Sequence, residues 1–255
     1  MKQFVLPFSP SADDDVMELH AEAQHYLIRV RRHRPGDVLT AMDPTGKRYQ
    51  MEILQESPLQ VRLQAESNAS ESQSLEAPSI TLMAGITKGK KMDLTVRQAV
   101  EGGALHIVPL LSEHSQIRIK TSQDSESKTN RWQKIAIEAL QQCGGSIPSQ
   151  VKNPCSLSQA LKQWKKRGPI FYFHEKAQEE EQKGLHQHLA SPVRELAIIV
   201  GPEGGLSKRE VSALDEEGGI PIHLGPRILR AETAALYGLA AVQTILREKS
   251  EWQPT

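Results

Sequence analysis

The stretch LGPRILRAETAALYGLAAVQ, from Leu224 to Gln243, sets a Gly-Pro turn and the charged pair Arg230 and Glu232 at the entrance to a long apolar run. A guanidinium so placed suits one of two tasks. It can stabilise negative charge developing on a bound molecule, or it can pair with Glu232 as a structural cap on the helix entry. A second stretch with chemical potential is GPEGG, Gly201 to Gly205, which follows the apolar run AIIV and sets three glycines around a rigid proline. Such glycines let a ligand or another chain segment come close to the backbone. Part of this pattern is ordinary, since Ser207 caps the next helix and Glu210 completes a capping box. Capping does not explain why two consecutive strand ends each carry a Gly-Pro pair.

The elements that must position these residues change character along the chain. From Phe4 to Leu63 the alternation in VLTAM and QMEIL, with turns at Pro35-Gly36-Asp37 and Asp43-Pro44-Thr45-Gly46, predicts short strands of a small antiparallel barrel, with HYLIRV among them. The polar, Ser-rich ESNASESQSLEAP then reads as a linker, with the boundary near Glu76. Beyond it strands (Ile80–Met83, HIVPLL, PIFYFH, ELAIIV, PIHLG) alternate with helices (MDLTVRQAVEGGA, RWQKIAIEALQQC, SLSQALKQWKKRG, the segment after GPEGG). That alternation predicts a parallel α/β sheet with crossovers. Ligands in such sheets sit outside the carboxyl ends of the strands, which directs attention to Phe173-His174, to Gly201–Gly205 and to Leu224–Glu232.

Composition limits the function classes. Lys+Arg and Asp+Glu both number 31 in 255 residues, so a nucleic-acid partner must be held by local patches, and a membrane surface finds little to grip. No run has signal-peptide or membrane-spanning character, and the expectation is a soluble cytoplasmic protein. Cys143 and Cys155 lack partners at zinc spacing, His186 and His188 lack a third ligand, and GITKGKK lacks the Walker spacing, so neither a metal nor a P-loop nucleotide is expected. Arg29, Arg31, Arg32 and Arg34, and Lys88, Lys90 and Lys91, are the basic clusters suited to phosphate contacts.

Four stretches taken together, MAGITKGKKMDLTVRQAVEGGALHIVPLLSEHS, RWQKIAIEALQQCGG, IIVGPEGGLSKREV and LGPRILRAETAALYGLAAVQ, resemble the ribosomal-RNA small-subunit methyltransferase E family. HYLIRVRRHRPGDVL resembles that family's PUA-like RNA-binding barrel. The resemblance implies an α/β fold in two domains, a PUA-like barrel over 1–75 and a trefoil-knotted SPOUT methyltransferase domain over 76–250. It implies S-adenosylmethionine as cofactor, no metal, 16S rRNA of the small ribosomal subunit as partner, a homodimer, and methylation of a uridine at N3. The basic clusters named above would be the RNA contacts.

In a knotted fold the backbone wraps the cofactor, so the resemblance assigns it to Phe173, His174, Val200, Gly201, Pro202, Glu203, Gly204, Gly205, Leu224, Gly225, Ile228, Leu229, Thr233 and Ala234. N3 of uracil carries a weakly acidic proton, and negative charge develops on the ring as it is methylated. Arg230 would stabilise that charge, Glu232 would orient Arg230 or accept the proton, and Glu203 is a second carboxylate for the same role. The last helix, apolar on nearly every face with Ala234, Ala235, Gly238, Ala240 and Ala241 among larger residues, is expected to be buried on all sides and to form the dimer interface. The chain departs from the family pattern at Gln3, Gln98 and Gly145, where the family carries cations that would contact RNA. Two other readings are a knotted methyltransferase acting elsewhere on RNA, such as a ribose hydroxyl, and an RNA-binding module of the same fold without catalysis.

Overall fold

The structure is a computed structural model that describes residues 2–11, 15–66, 78–174 and 183–250. The chain divides into two compact units, Met1–Ser72 with Leu140–Pro148 and Gln73–Ala139 with Ser149–Thr255. The linker and the boundary expected near Glu76 lie outside the described residues, as does most of the charged loop after His174.

The first unit contains β1 (Phe4–Val5), β2 (Val16–Leu19), α1 (Ala21–Gln24), a π-helical turn (His25–Val30), β3 (Val38–Met42), β4 (Arg48–Glu56) and β5 (Leu59–Ala65). Its sheet runs β1-β3-β4-β5-β2 and is antiparallel apart from the β1–β3 edge. Alternation sets the buried face: Met51 and Ile53 of β4 and Leu59, Val61 and Leu63 of β5 point into one cluster with Phe4, Leu6, Leu19 and Leu27. The Asp43 carboxylate accepts from the Thr45 N–H at 2.8 Å and the Lys47 N–H at 3.0 Å, and Gly46 supplies the left-handed φ of +94° that this turn needs.

HYLIRV is helical where the sequence predicts a strand. Only Leu27 is fully buried, while Val30 is 55% exposed, so the segment offers one inward residue in a turn and no alternating face. The Arg31 N–H donates to the Tyr26 carbonyl at 2.9 Å, the i to i+5 bond of a π-turn. Gln3, buried in this unit, donates through Nε2 to the Gly145 carbonyl at 2.8 Å.

The second unit contains β6 (Ser79–Gly85), α2 (Lys91–Glu101), β7 (His106–Leu110), α3 (Ser122–Cys143, the part up to Ala139), β8 (Gln150–Val151), α4 (Leu157–Trp164), β9 (Ile170–Phe173), α5 (Leu185–His188), β10 (Glu195–Val200), α6 (Lys208–Glu216), β11 (Ile220–Ile222) and α7 (Ala231–Ser250). All six strands are parallel, in the order β11-β9-β10-β6-β7-β8. The unbroken apolar runs of β6 and β10 follow from burial on both faces. On one face Leu157, Leu161 and Trp164 of α4 and Leu214 of α6 pack with Tyr172 and Ile199. On the other, α7 lies along α2, and a Cβ on Gly102 would come 2.6 Å from Leu239.

The chain runs from β6 outward through β7 and β8, then returns with β9 and β10 on the other side of β6. That reversal opens a crevice at the carboxyl ends of β6 and β10, where open α/β sheets bind ligands. Among the described residues, no helix is long and apolar enough to cross a membrane, and no cluster of side chains could hold a metal ion.

Candidate active site

A cavity of about 650 Å³ occupies that crevice. Phe173 and His174 enter it from the end of β9, Val200 to Leu206 from the loop after β10, and Leu224, Gly225 and Arg227 to Ala231 from the segment after β11. Ala234 of α7 and Lys91 of α2 complete the wall. The three strand-end loops singled out in the sequence therefore line a single cavity. Of the residues the resemblance assigns to the cofactor, only Thr233 does not line it. Thr233 is exposed on α7.

Close backbone packing builds this wall. A Cβ on Gly85, the last residue of β6, would overlap Pro202 and lie 2.8 Å from the carbonyl carbon of Gly201, so only glycine lets the two strand ends meet. Gly201 is equally confined, with the carbonyl carbon of Gly205 and the nitrogen of Leu206 each 2.8 Å from where its Cβ would stand. Gly205 and Gly225 take left-handed φ of +70° and +111°, conformations that other residues adopt at a cost. The loop then enters α6 through the expected capping box: the Glu210 N–H donates to Ser207 Oγ at 3.1 Å and the Ser207 N–H to Glu210 Oε2 at 2.8 Å.

The charged groups sort themselves differently from the sequence expectation. Arg230 lines the cavity, exposed, and its carbonyl accepts the Ala234 N–H at 2.7 Å, which makes it the residue where α7 begins. Glu232 is only 9% exposed, does not line the cavity, and its Oε2 has no hydrogen-bond partner among the described residues. Two residues apart on a helix means roughly 200° of rotation, so the two side chains diverge. Glu203 lines the cavity but is engaged: its Oε1 accepts from Lys91 Nζ at 3.0 Å and from the Lys88 N–H at 3.2 Å. Partial burial pushes the Glu203 carboxyl up, yet the bonds from Lys91, its own backbone and Lys88 outweigh this and hold it below the ordinary carboxylate range. A carboxylate so stabilised is a poor proton acceptor.

Within the single chain, α7 is buried along one side and exposed along another. Ala235, Leu239 and Val242 are buried, whereas Thr233, Tyr237, Ala240 and Thr244 form an exposed stripe, with Tyr237 54% exposed. Gly238 faces inward, where a Cβ would overlap the Phe173 ring.

Residues 75–243 match the family described as RNA methyltransferase domain. The chain is 32% identical over 228 residues to the ribosomal RNA small subunit methyltransferase E of Buchnera aphidicola from Acyrthosiphon pisum, covering 89% of this chain and 87% of that one. It belongs to the ribosomal RNA small subunit methyltransferase E family. The Bacillus subtilis member is 28% identical, with 87% of each chain covered. The crystal structure of the Neisseria gonorrhoeae member, bound to S-adenosyl methionine, superposes with a TM-score of 0.82 at 28% identity, over 96% of this chain and 98% of that one.

In this chain the residues expected to meet RNA fall in both units. Arg29, Arg32 and Arg34 are exposed and Arg31 is half-buried in the first unit. Lys88 and Lys90 are exposed before α2, and Lys91 is committed to Glu203. Sequence reasoning missed Gly85, the cavity-lining Arg227 and the place of Lys91 in the wall. For Gly85 the signal was a glycine ending an apolar strand, MAG, ahead of GPEGG. For Lys91 no local signal existed, since its partner is 112 residues away.

Proposed function

We propose that this protein transfers a methyl group from S-adenosylmethionine to N3 of a uridine in 16S rRNA. The observation that carries this reading is the convergence of three strand-end loops, two of them glycine-bearing, and Arg230 on one cavity at the sheet's reversal point. The residues present suit the cofactor. Main-chain groups at Val200, Gly201, Leu224 and Leu229, with the apolar side chains of Leu224, Leu229 and Ala234, fit a flat purine held by backbone hydrogen bonds. The bound cofactor supplies an activated methyl on a sulfonium.

The chain's own residues supply position and charge. Arg230 presents a planar guanidinium at the first turn of α7, where the positive end of the helix adds to its field. Both favour the negative charge that develops on the uracil ring as N3 loses its proton. Glu203 ties Lys91 and Lys88 to the glycine loop and keeps the mouth in one shape. With Glu232 turned away and Glu203 paired, the N3 proton passes to water. Arg227 and Arg230 leave the wall cationic, which suits a polyanionic substrate.

The reading includes the family's trefoil knot and its PUA-like barrel, the latter supported by the five-stranded sheet packed around its own core. It includes a homodimer formed through the exposed Tyr237 stripe of α7, and action in the cytoplasm, where small subunits are assembled. The test is transfer from isotope-labelled S-adenosylmethionine to small-subunit RNA or subunits, with nucleoside mass analysis. Label in 3-methyluridine supports the reading. Label in a ribose-methylated nucleoside, or none, overturns it.

A further inference from the structure

The tetrapeptide Ser112-Glu113-His114-Ser115 follows β7 and does not line the cavity, yet it is bonded to the glycine loop that does and to the segments that end β6 and begin α6. Ser112 Oγ donates to Glu210 Oε2 at 2.9 Å, and the Glu113 N–H donates to Glu210 Oε1 at 3.1 Å. His114 Nδ1 lies 2.9 Å from the Gly204 carbonyl, and since that oxygen can only accept, Nδ1 carries the hydrogen. Ser115 Oγ donates to the Ile86 carbonyl at 3.0 Å, one residue beyond Gly85. Four consecutive residues thus reach the start of α6, the glycine loop and the end of β6.

Glu210 explains why this arrangement is rigid. It is 7% exposed, and a buried carboxylate is stable only when its lone pairs are met by donors. The Ser207 N–H satisfies part of that need from the N-cap of α6, and Ser112 and Glu113 supply the rest from 98 and 97 residues away. Losing the tetrapeptide would leave buried charge under-satisfied, so the contact resists opening. The same tetrapeptide then sets Gly204: a Cβ there would come 2.8 Å from His114 Cβ, so the imidazole backbone side and the loop are in direct contact.

We infer that Ser112–Ser115 is a brace that holds the glycine loop in its ligand-binding shape, with His114 the positioning residue for methyl-donor affinity. This rests on the reading of the cavity as the S-adenosylmethionine site. His114 acts through the Gly204 carbonyl and touches no reacting atom. Its exposure makes it separable from folding, and it meets the loop through one hydrogen bond and the packing of its Cβ against Gly204.

Titration calorimetry with S-adenosylmethionine on the full chain tests this. His114→Ala should raise the dissociation constant about three- to tenfold, the range of one lost hydrogen bond. The melting temperature without ligand should stay unchanged, and so should KM for RNA at saturating cofactor. His114→Asn, whose amide nitrogen stands close to the position of Nδ1, should return affinity to within about twofold of the natural protein. Unchanged affinity in His114→Ala overturns the brace, as does a loss that accompanies a lowered melting temperature and is not restored by Asn. If the natural protein itself does not bind S-adenosylmethionine, the cofactor reading fails and the brace falls with it, a result distinct from equal binding by protein and variant.

Discussion

Gly238, in the middle of α7, lies so close to the Phe173 ring that a Cβ at this position would overlap it. Phe173 is also part of the cavity wall, so a helix residue with no side chain decides where one side of the site stands. An exposed helical Gly→Ala change normally stabilises by about 0.5–1 kcal/mol. Here the sign should reverse: Gly238→Ala should destabilise by about 1–3 kcal/mol, the usual cost of overpacking, read from urea unfolding, with weaker cofactor binding as the ring is displaced. A stabilised Gly238→Ala would mean that the ring moves aside freely.

Arg230 stands in the wall without Glu232 beside it. Arg230→Ala should fold and bind S-adenosylmethionine, while single-turnover methylation of small-subunit RNA falls by about 10²–10³, as on losing one transition-state donor. Arg230→Lys should recover part of the rate, because an ammonium lacks the planar fork. Wild-type turnover in Arg230→Ala would make Arg230 structural.

Glu203 gives a pH signature. Its folded-state value is held below the ordinary 4.5, so its contribution to stability is complete above that value and is lost as pH falls through the folded value. Glu203→Gln should therefore cost about 0.2–1 kcal/mol at neutral pH, as for a partly exposed ion pair, and the difference from the natural protein should shrink below about pH 4.5. Thermal melts between pH 3 and pH 7 measure this. A difference that stays constant across the window would remove Glu203 as a charged latch on Lys91.

Tyr237, 54% exposed on α7, is the residue to change when asking about self-association. Gly238 is not, because it reports on Phe173. On the proposed dimer, Tyr237→Asp should convert the natural protein's dimer to monomer in analytical ultracentrifugation while its melting temperature in dilute solution holds. A variant that remains dimeric would place the interface elsewhere.

Local grammar in the chain was readable wherever structure depends on short spacing. The capping boxes at Ser207/Glu210 and Ser156/Gln159 need only a three-residue separation, and both form. The alternation of apolar strands with helices told of the parallel sheet, and the glycine-rich turns after β10 and before α7 marked the cavity, because they stand at the carboxyl ends of parallel strands, where open α/β sheets bind ligands. HYLIRV misled because β-branched residues favour strands only where a pleated face is there to receive them. In this chain one leucine finds a core and the rest stay partly or wholly at the surface.

What the sequence by itself determined about this protein is its family, its parallel sheet and the three loops that carry the site. Tertiary structure alone decided which side chains those loops meet. Glu210 reads as a cap until Ser112 and Glu113 arrive on it, Glu203 reads as a base until Lys91 occupies it, and Gly85 reads as a strand end until Pro202 packs against it. Each partner lies about a hundred residues or more away along the chain, brought close by the order in which strands take their places beside β6. Spacing in sequence encodes contacts within a turn or two of helix. A contact made by crossover depends on the path of the whole sheet, and no local pattern records it.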